Sequence, residues 1–114
     1  MFEVSTPAWG ALAVVSASLD YVLGVGVEAI ARHRQPLIDR LLEALPPLGF
    51  TPLTPKGSRT PIVAFAAKDA DKRFAARLKA ERITISTYEH RIRISPSAYN
   101  TMSDVDRLIQ ALSA

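Results

Sequence analysis

The chain contains no cysteine. Disulfides, thiolate metal sites and a thiol nucleophile are therefore excluded from it. Its two histidines, His33 and His90, lie far apart, with no further ligand at a spacing suited to metal, so no metal site is expected. Glycine is sparse. Gly24-Val25-Gly26 lacks the third glycine and the preceding strand of a dinucleotide-binding turn. Neither sign of charge dominates: 14 Lys and Arg stand against 11 Asp and Glu, a net charge of +3. Basic and acidic residues interleave, as in Lys68-Asp69-Ala70-Asp71-Lys72-Arg73, which reads as a solvated helix face rather than a nucleic-acid footprint. A membrane-length apolar run is missing too, because the segment from Pro7 to Leu19 falls well short of the roughly twenty residues a span needs. No basic residue precedes Arg32, so the charged start of a secretory signal is lacking. These features lead to a cytoplasmic protein with no nucleic-acid and no membrane partner.

What is present is an ordinary globular composition, 48% hydrophobic over 114 residues, without repeats. A chain of this size buries roughly two-thirds of the surface exposed when it is unfolded. Thr6 or Pro7 should open a first helix reaching about Leu23, with Gly24 at its end. Its apolar residues fall on nearly every side, so it has to be covered all round, and a partner surface is expected. A second helix is expected from Val27 to about Leu45, with Ile30, Leu37, Leu41 and Leu45 inward and Pro36 bending or dividing it. Strands follow at 50–53 and 62–65, then a helix at 70–80 capped by Asp69. Two further strands, 83–86 and 90–94, should pair around Thr87-Tyr88-Glu89. The closing helix has Val105, Leu108, Ile109 and Leu112 on one stripe, with Ser103 as N-cap and Asp106 completing a capping box. The fold class is α+β: a small antiparallel or mixed sheet of about four strands with helices on one face, preceded by two long helices. No internal domain boundary is evident, so residues 1–114 read as a single domain.

The most informative stretch is Arg91 to Leu112. Ile92 and Ile94 point to one side of an extended segment and Arg91 and Arg93 to the other. Guanidinium groups carried by a stiff strand, away from the core, are suited to gripping a carboxylate or phosphate. Arg91 reads as a solvated neighbour. His33, His90, Asp69 and Asp71 read as packing or surface polarity.

In outline this stretch is R-x-S-x-x-x-Y-N-T-x-x-D, from Arg93 through Ser95, Tyr99, Asn100 and Thr101 to Asp104, followed by a short apolar helix. It resembles the C-terminal end of class V aminotransferases, which are fold type I pyridoxal-phosphate (PLP) enzymes that include cysteine desulfurases, selenocysteine lyases and isopenicillin N epimerase-like proteins. Phe2-Glu-Val-Ser-Thr-Pro-Ala-Trp9 is similar to the segment with which the family leaves its large domain. Asp20-Tyr21, Gly26 to Ile30 and His33 to Leu37 resemble its next two helices, and Leu53-Thr-Pro55 with Pro61 to Phe65 its first small-domain strands.

The resemblance implies that Arg93 binds the α-carboxylate of an amino-acid substrate. It also implies that Thr6 reaches across a dimer interface to the phosphate of the neighbouring subunit's PLP. Tyr99, Asn100 and Thr101 then serve the turn into the last helix. PLP chemistry requires a Schiff-base lysine and an aspartate at the pyridinium nitrogen. The family carries both in its large domain, and Lys56, Lys68, Lys72 and Lys79 do not match that lysine's context. The expectation is therefore a C-terminal small domain whose large catalytic domain is absent. This chain would hold no catalytic residue and would not bind PLP alone; its partner would be the missing large domain or a homodimer copy. A desulfurase parent is disfavoured, because the short stretch Thr87 to His90 lacks the loop cysteine of those enzymes; an aminotransferase, epimerase or lyase fits better. The alternative is an autonomous, non-catalytic interaction or dimerisation domain derived from the same fold.

Overall fold

In strand β4, Arg91–Ile94, the alternation of arginine and isoleucine becomes an alternation of exposed and buried side chains. The computed structural model describes residues 7–113. Contacts divide the chain into two units, one ending at Ile30 and the other beginning at Ala31.

The first unit contains α1, Trp9–Val25, and the first turn of the helix that follows. Of the two expected starts, Thr6 lies outside the described residues and Pro7 precedes the helix, whose N-cap is Ala8. The helix runs through Gly24 and ends two residues beyond the expected stop, at Gly26, which has φ 92° and donates its N–H to the Val22 carbonyl. A backbone angle of that sign favours glycine, whereas Gly24 costs the helix interior only about 1 kcal/mol relative to alanine. None of the α1 residues is buried, and Trp9 is 70% exposed.

Helix α2, Val27–Ala44, continues without a break through Pro36. Of the bend or division expected at this proline, the division does not occur. Proline removes the hydrogen bond that would reach the Arg32 carbonyl, and Arg32 is exposed, so water can serve that group. From Ala31 onward α2 buries Leu37, Ile38 and Leu41, with Leu45 just past its end. A 3-10 turn, Pro46–Leu48, and Gly49 at φ 91° then reverse the chain.

The second unit is built on one four-stranded antiparallel sheet in the order β1-β2-β4-β3. Its strands are β1 Thr51–Pro52, β2 Val63–Ala66, β3 Ser86–Thr87 and β4. Val63 lies opposite Ile94 and Phe65 opposite Ile92, so four bulky residues share one face. On that face they join Leu37, Ile38 and Leu41 of α2, Phe74 and Leu78 of α3 (Ala70–Ala80), and Val105, Leu108 and Leu112 of α4 (Met102–Leu112). This is the α+β layer with helices on one face that the sequence pattern implies.

Several boundaries differ from expectation. Strand β3 shares only Ser86 with the expected 83–86 and takes in Thr87 from the expected turn: Arg82 takes φ 54°, and the Ile83 N–H returns to the Leu78 carbonyl at the end of α3, which draws residues 83–85 out of the ladder. Asp69 precedes α3 at φ 53° without a side-chain cap bond, and the carboxylate of Asp71 accepts from the Lys72 N–H instead. The N-cap of α4 is Thr101 rather than Ser103, and Asp104 rather than Asp106 closes the capping box. Asp106 accepts from Arg40 Nε at 3.2 Å, an exposed tie between α4 and α2.

Replacing fully buried Ile92 with alanine should cost about 2–5 kcal/mol of stability, measured as a shift in the urea midpoint. The neighbouring change Arg91→Ala, on the opposite face, should cost less than about 1 kcal/mol. Equal losses would mean that the two faces of β4 are not distinct.

Candidate functional site

The face of the sheet turned away from the helices carries Ala64 and Ala66 from β2, Arg91 and Arg93 from β4, and Ser86 from β3. Directly opposed antiparallel residues point to the same side, so the register puts Arg93 between Ala64 and Ser86, and Arg91 beside Ala66. Both arginines are exposed.

Each is held by one neighbour. Arg93 Nη2 donates to Ser86 Oγ at 3.4 Å, a long and weak bond that restrains the side chain while leaving its other donors available. The Arg91 guanidinium lies 4.7 Å from the Tyr88 ring centroid. Tyr88 is placed by the hairpin turn, where its N–H donates to the Arg91 carbonyl. Stacking of this kind contributes about 0.5–1 kcal/mol at an exposed site. Neither arginine has a carboxylate partner among the described residues, whose salt bridges are Arg40–Asp106 and His90–Glu89. Ser86 and Tyr88 were not singled out from the sequence. The expected turn at 87–89 sets Ser86 opposite His90, so its place beside Arg93 emerges only with the observed register.

The residues after β4 form a self-satisfied turn. Asn100 Oδ1 accepts from the Ser97 N–H at 2.8 Å, and the Asn100 carbonyl accepts from His33 Nε2 at 2.8 Å. His33 thus ties α2 to the Tyr-Asn-Thr motif, a structural use of a histidine that carries no chemistry here. Thr101 Oγ1 accepts from the Asp104 N–H, and the Asp104 carboxylate accepts from both the N–H and the hydroxyl of Thr101. Asn100 and Thr101 therefore serve the turn, while Tyr99 projects into solvent at 85% exposure.

Two hollows lie elsewhere on the second unit. A hollow of about 180 Å³ on the helix side of the sheet is lined by Ile83, Ile85, Ile94 and Leu108, with Arg82 and Arg107 among its polar residues. A second, of about 380 Å³, lies beside Phe50, Ala67 and His90. Neither includes Arg93. No cluster of acids and histidines able to hold a metal ion occurs among the described residues, and no single helix among them is long and apolar enough to cross a membrane. Thr6 lies outside the described residues. All four lysines are exposed, and none is on the arginine-bearing face.

The model of the aminotransferase class-V family matches residues 1–108. The chain belongs to the class V aminotransferase family, a family of PLP-dependent enzymes. It is similar in structure to an apo cysteine desulfurase from Thermococcus onnurineus NA1, with TM-score 0.83 and 21% identity, over 98% of this chain and 32% of that one. It is also similar to a NifS-like protein, with TM-score 0.66 and 22% identity, over 75% of this chain and 28% of that one. At these identities the likeness is one of fold. The chain spans about a third of the solved chains it matches. No curated protein matches it by sequence.

Acid should loosen the start of α4 in a defined way. Hydrogen bonds from the Thr101 backbone, then from its side chain, hold the Asp104 carboxyl below its ordinary 3.8, with smaller help from Asn100 and Arg107. A carboxyl lowered in the folded state adds stability that is complete above its unfolded value and disappears as pH falls through the folded one. Urea midpoints measured downward from pH 5 should therefore fall less steeply for Asp104→Asn than for the unaltered chain. Parallel curves would contradict the capping role.

Proposed function

We propose that the chain is the C-terminal small domain of a PLP-dependent class V enzyme acting on an amino acid, and that Arg93 binds the substrate α-carboxylate. What carries this reading is the Arg93 guanidinium: presented by a strand, restrained at one nitrogen by Ser86, and without an acidic partner among the described residues. A planar fork with free donors matches a carboxylate in a bidentate pair. The register supports this reading, because the isoleucines on either side of Arg93 are buried in the core and hold the strand in place.

In this reading the chain positions and does not transform. Bound PLP supplies the electron sink for the reacting amino acid. Arg93 fixes the carboxylate end, which limits the orientations the remaining bonds can take. An exposed ion pair is worth at most about 1 kcal/mol, so the open sheet face needs cover from other protein before the grip becomes strong. That cover would be the large domain or a homodimer partner, in a cytoplasmic enzyme, with Thr6 as the proposed contact to a neighbouring subunit's PLP phosphate. The parent would be an aminotransferase, epimerase or lyase rather than a desulfurase, since the hairpin Ser86 to Arg93 offers no thiol.

A second reading rests on α1, which is apolar all round and has no buried residue. A helix of that kind also suits an autonomous interaction or dimerisation domain. A reading frame carrying the cofactor lysine, joined to or beside this one, favours the enzyme; an isolated gene favours the interaction domain.

In the chain joined to such a large domain, Arg93→Ala should weaken amino-acid binding by roughly a hundredfold, the cost of leaving a buried carboxylate unpaired. The PLP absorbance should persist. Unchanged substrate affinity would remove the assignment.

A further inference from the structure

The proposed role of Arg93 leaves Arg91 unexplained. The two side chains leave β4 on the same side, with Cα atoms about 7 Å apart at the usual rise of a strand. Like charges so close repel, and an acid between them would relieve that repulsion. Here the four strands contain no acidic residue at all. The one acid in the adjoining turn, Glu89, lies 3.8 Å from His90. The residues opposite the two arginines on β2 are Ala66 and Ala64, whose methyl groups leave the space over the strand open. Arg91 is moreover not a loose surface side chain, because the Tyr88 ring holds its guanidinium. Two restrained cations, a neutral floor and no counter-ion among the described residues suit a receptor for two negative charges borne by one small molecule.

Resting on the proposed carboxylate role of Arg93, we infer that Arg91 is a specificity residue for a second acidic group, so that the substrate is an amino acid with a carboxylate on its side chain. Arg93 takes the α-carboxylate and Arg91 the side-chain acid. Tyr88 positions Arg91 by stacking and touches no substrate charge itself.

The test uses the chain itself at low ionic strength, where screening is weakest. Arginine side-chain N–H resonances are followed during titration with succinate and with butyrate, which match in carbon count and differ in the second carboxylate. Succinate should bind roughly fivefold more tightly than butyrate, the scale of one added exposed ion pair. Arg91→Gln should abolish that preference and leave butyrate binding at Arg93 in place. Arg77→Gln, an equal loss of charge on the exposed side of α3, should leave the preference intact. Should both Arg91→Gln and Arg77→Gln reduce it equally, general electrostatics is responsible and the specificity role of Arg91 is overturned. Butyrate binding at Arg93 without any preference for succinate overturns the role of Arg91 alone. If neither anion shifts the Arg93 resonance, in the chain alone or joined to a large domain that covers this face, the carboxylate role falls as well, and this inference with it.

Discussion

The structure of the second unit depends on the pairing of β4 between β2 and β3. Ile92 and Ile94 close the core against Val63 and Phe65, and α2, α3 and α4 cover that face. Because a strand repeats every two residues, this burial leaves Arg91 and Arg93 one possible side. Slipping the register by one residue would bury two guanidinium groups, at a desolvation cost of several kcal/mol each. The position of the arginines is thus enforced by the hydrophobic layer beneath them. Stability and site are consequences of the same alternation.

That constraint explains which features were legible in the sequence. The alternation of residues 91–94 and the apolar stripe of α4 have one periodic reading each, and both appear in the structure. The α+β class and the sheet of four strands follow from them. Features decided by competition between similar local signals were harder to place. Thr101 with Asp104, and Ser103 with Asp106, both satisfy the spacing of a capping box. The turn closed by Asn100 on Ser97 brings the chain into α4 early enough for Thr101 to take the role. Likewise Gly24 and Gly26 are both credible helix ends, and Gly26 alone takes the positive angle.

The remaining departures come from tertiary context. Ile83 and Ile85 have the alternation of a strand, yet they pack against the core without joining the ladder, because the left-handed turn at Arg82 and the bond from Ile83 to Leu78 have committed that backbone to the end of α3. Pro36 does not divide α2, since Leu37, Ile38 and Leu41 bury the helix immediately beyond it. On the candidate site, the sequence singled out Arg93 but not what surrounds it. Ser86 and Tyr88 become neighbours of the arginines only once the hairpin register is known. Helix α1 has no buried residue.

The proposed carboxylate role of Arg93 depends on the open face of β4. The most direct measurement is a structure of the complete enzyme with its amino-acid substrate bound. The account predicts both oxygens of the α-carboxylate at about 2.7–2.9 Å from the Arg93 guanidinium, in a bidentate pair. A substrate carboxylate held by other residues, with Arg93 left in solvent, would contradict it.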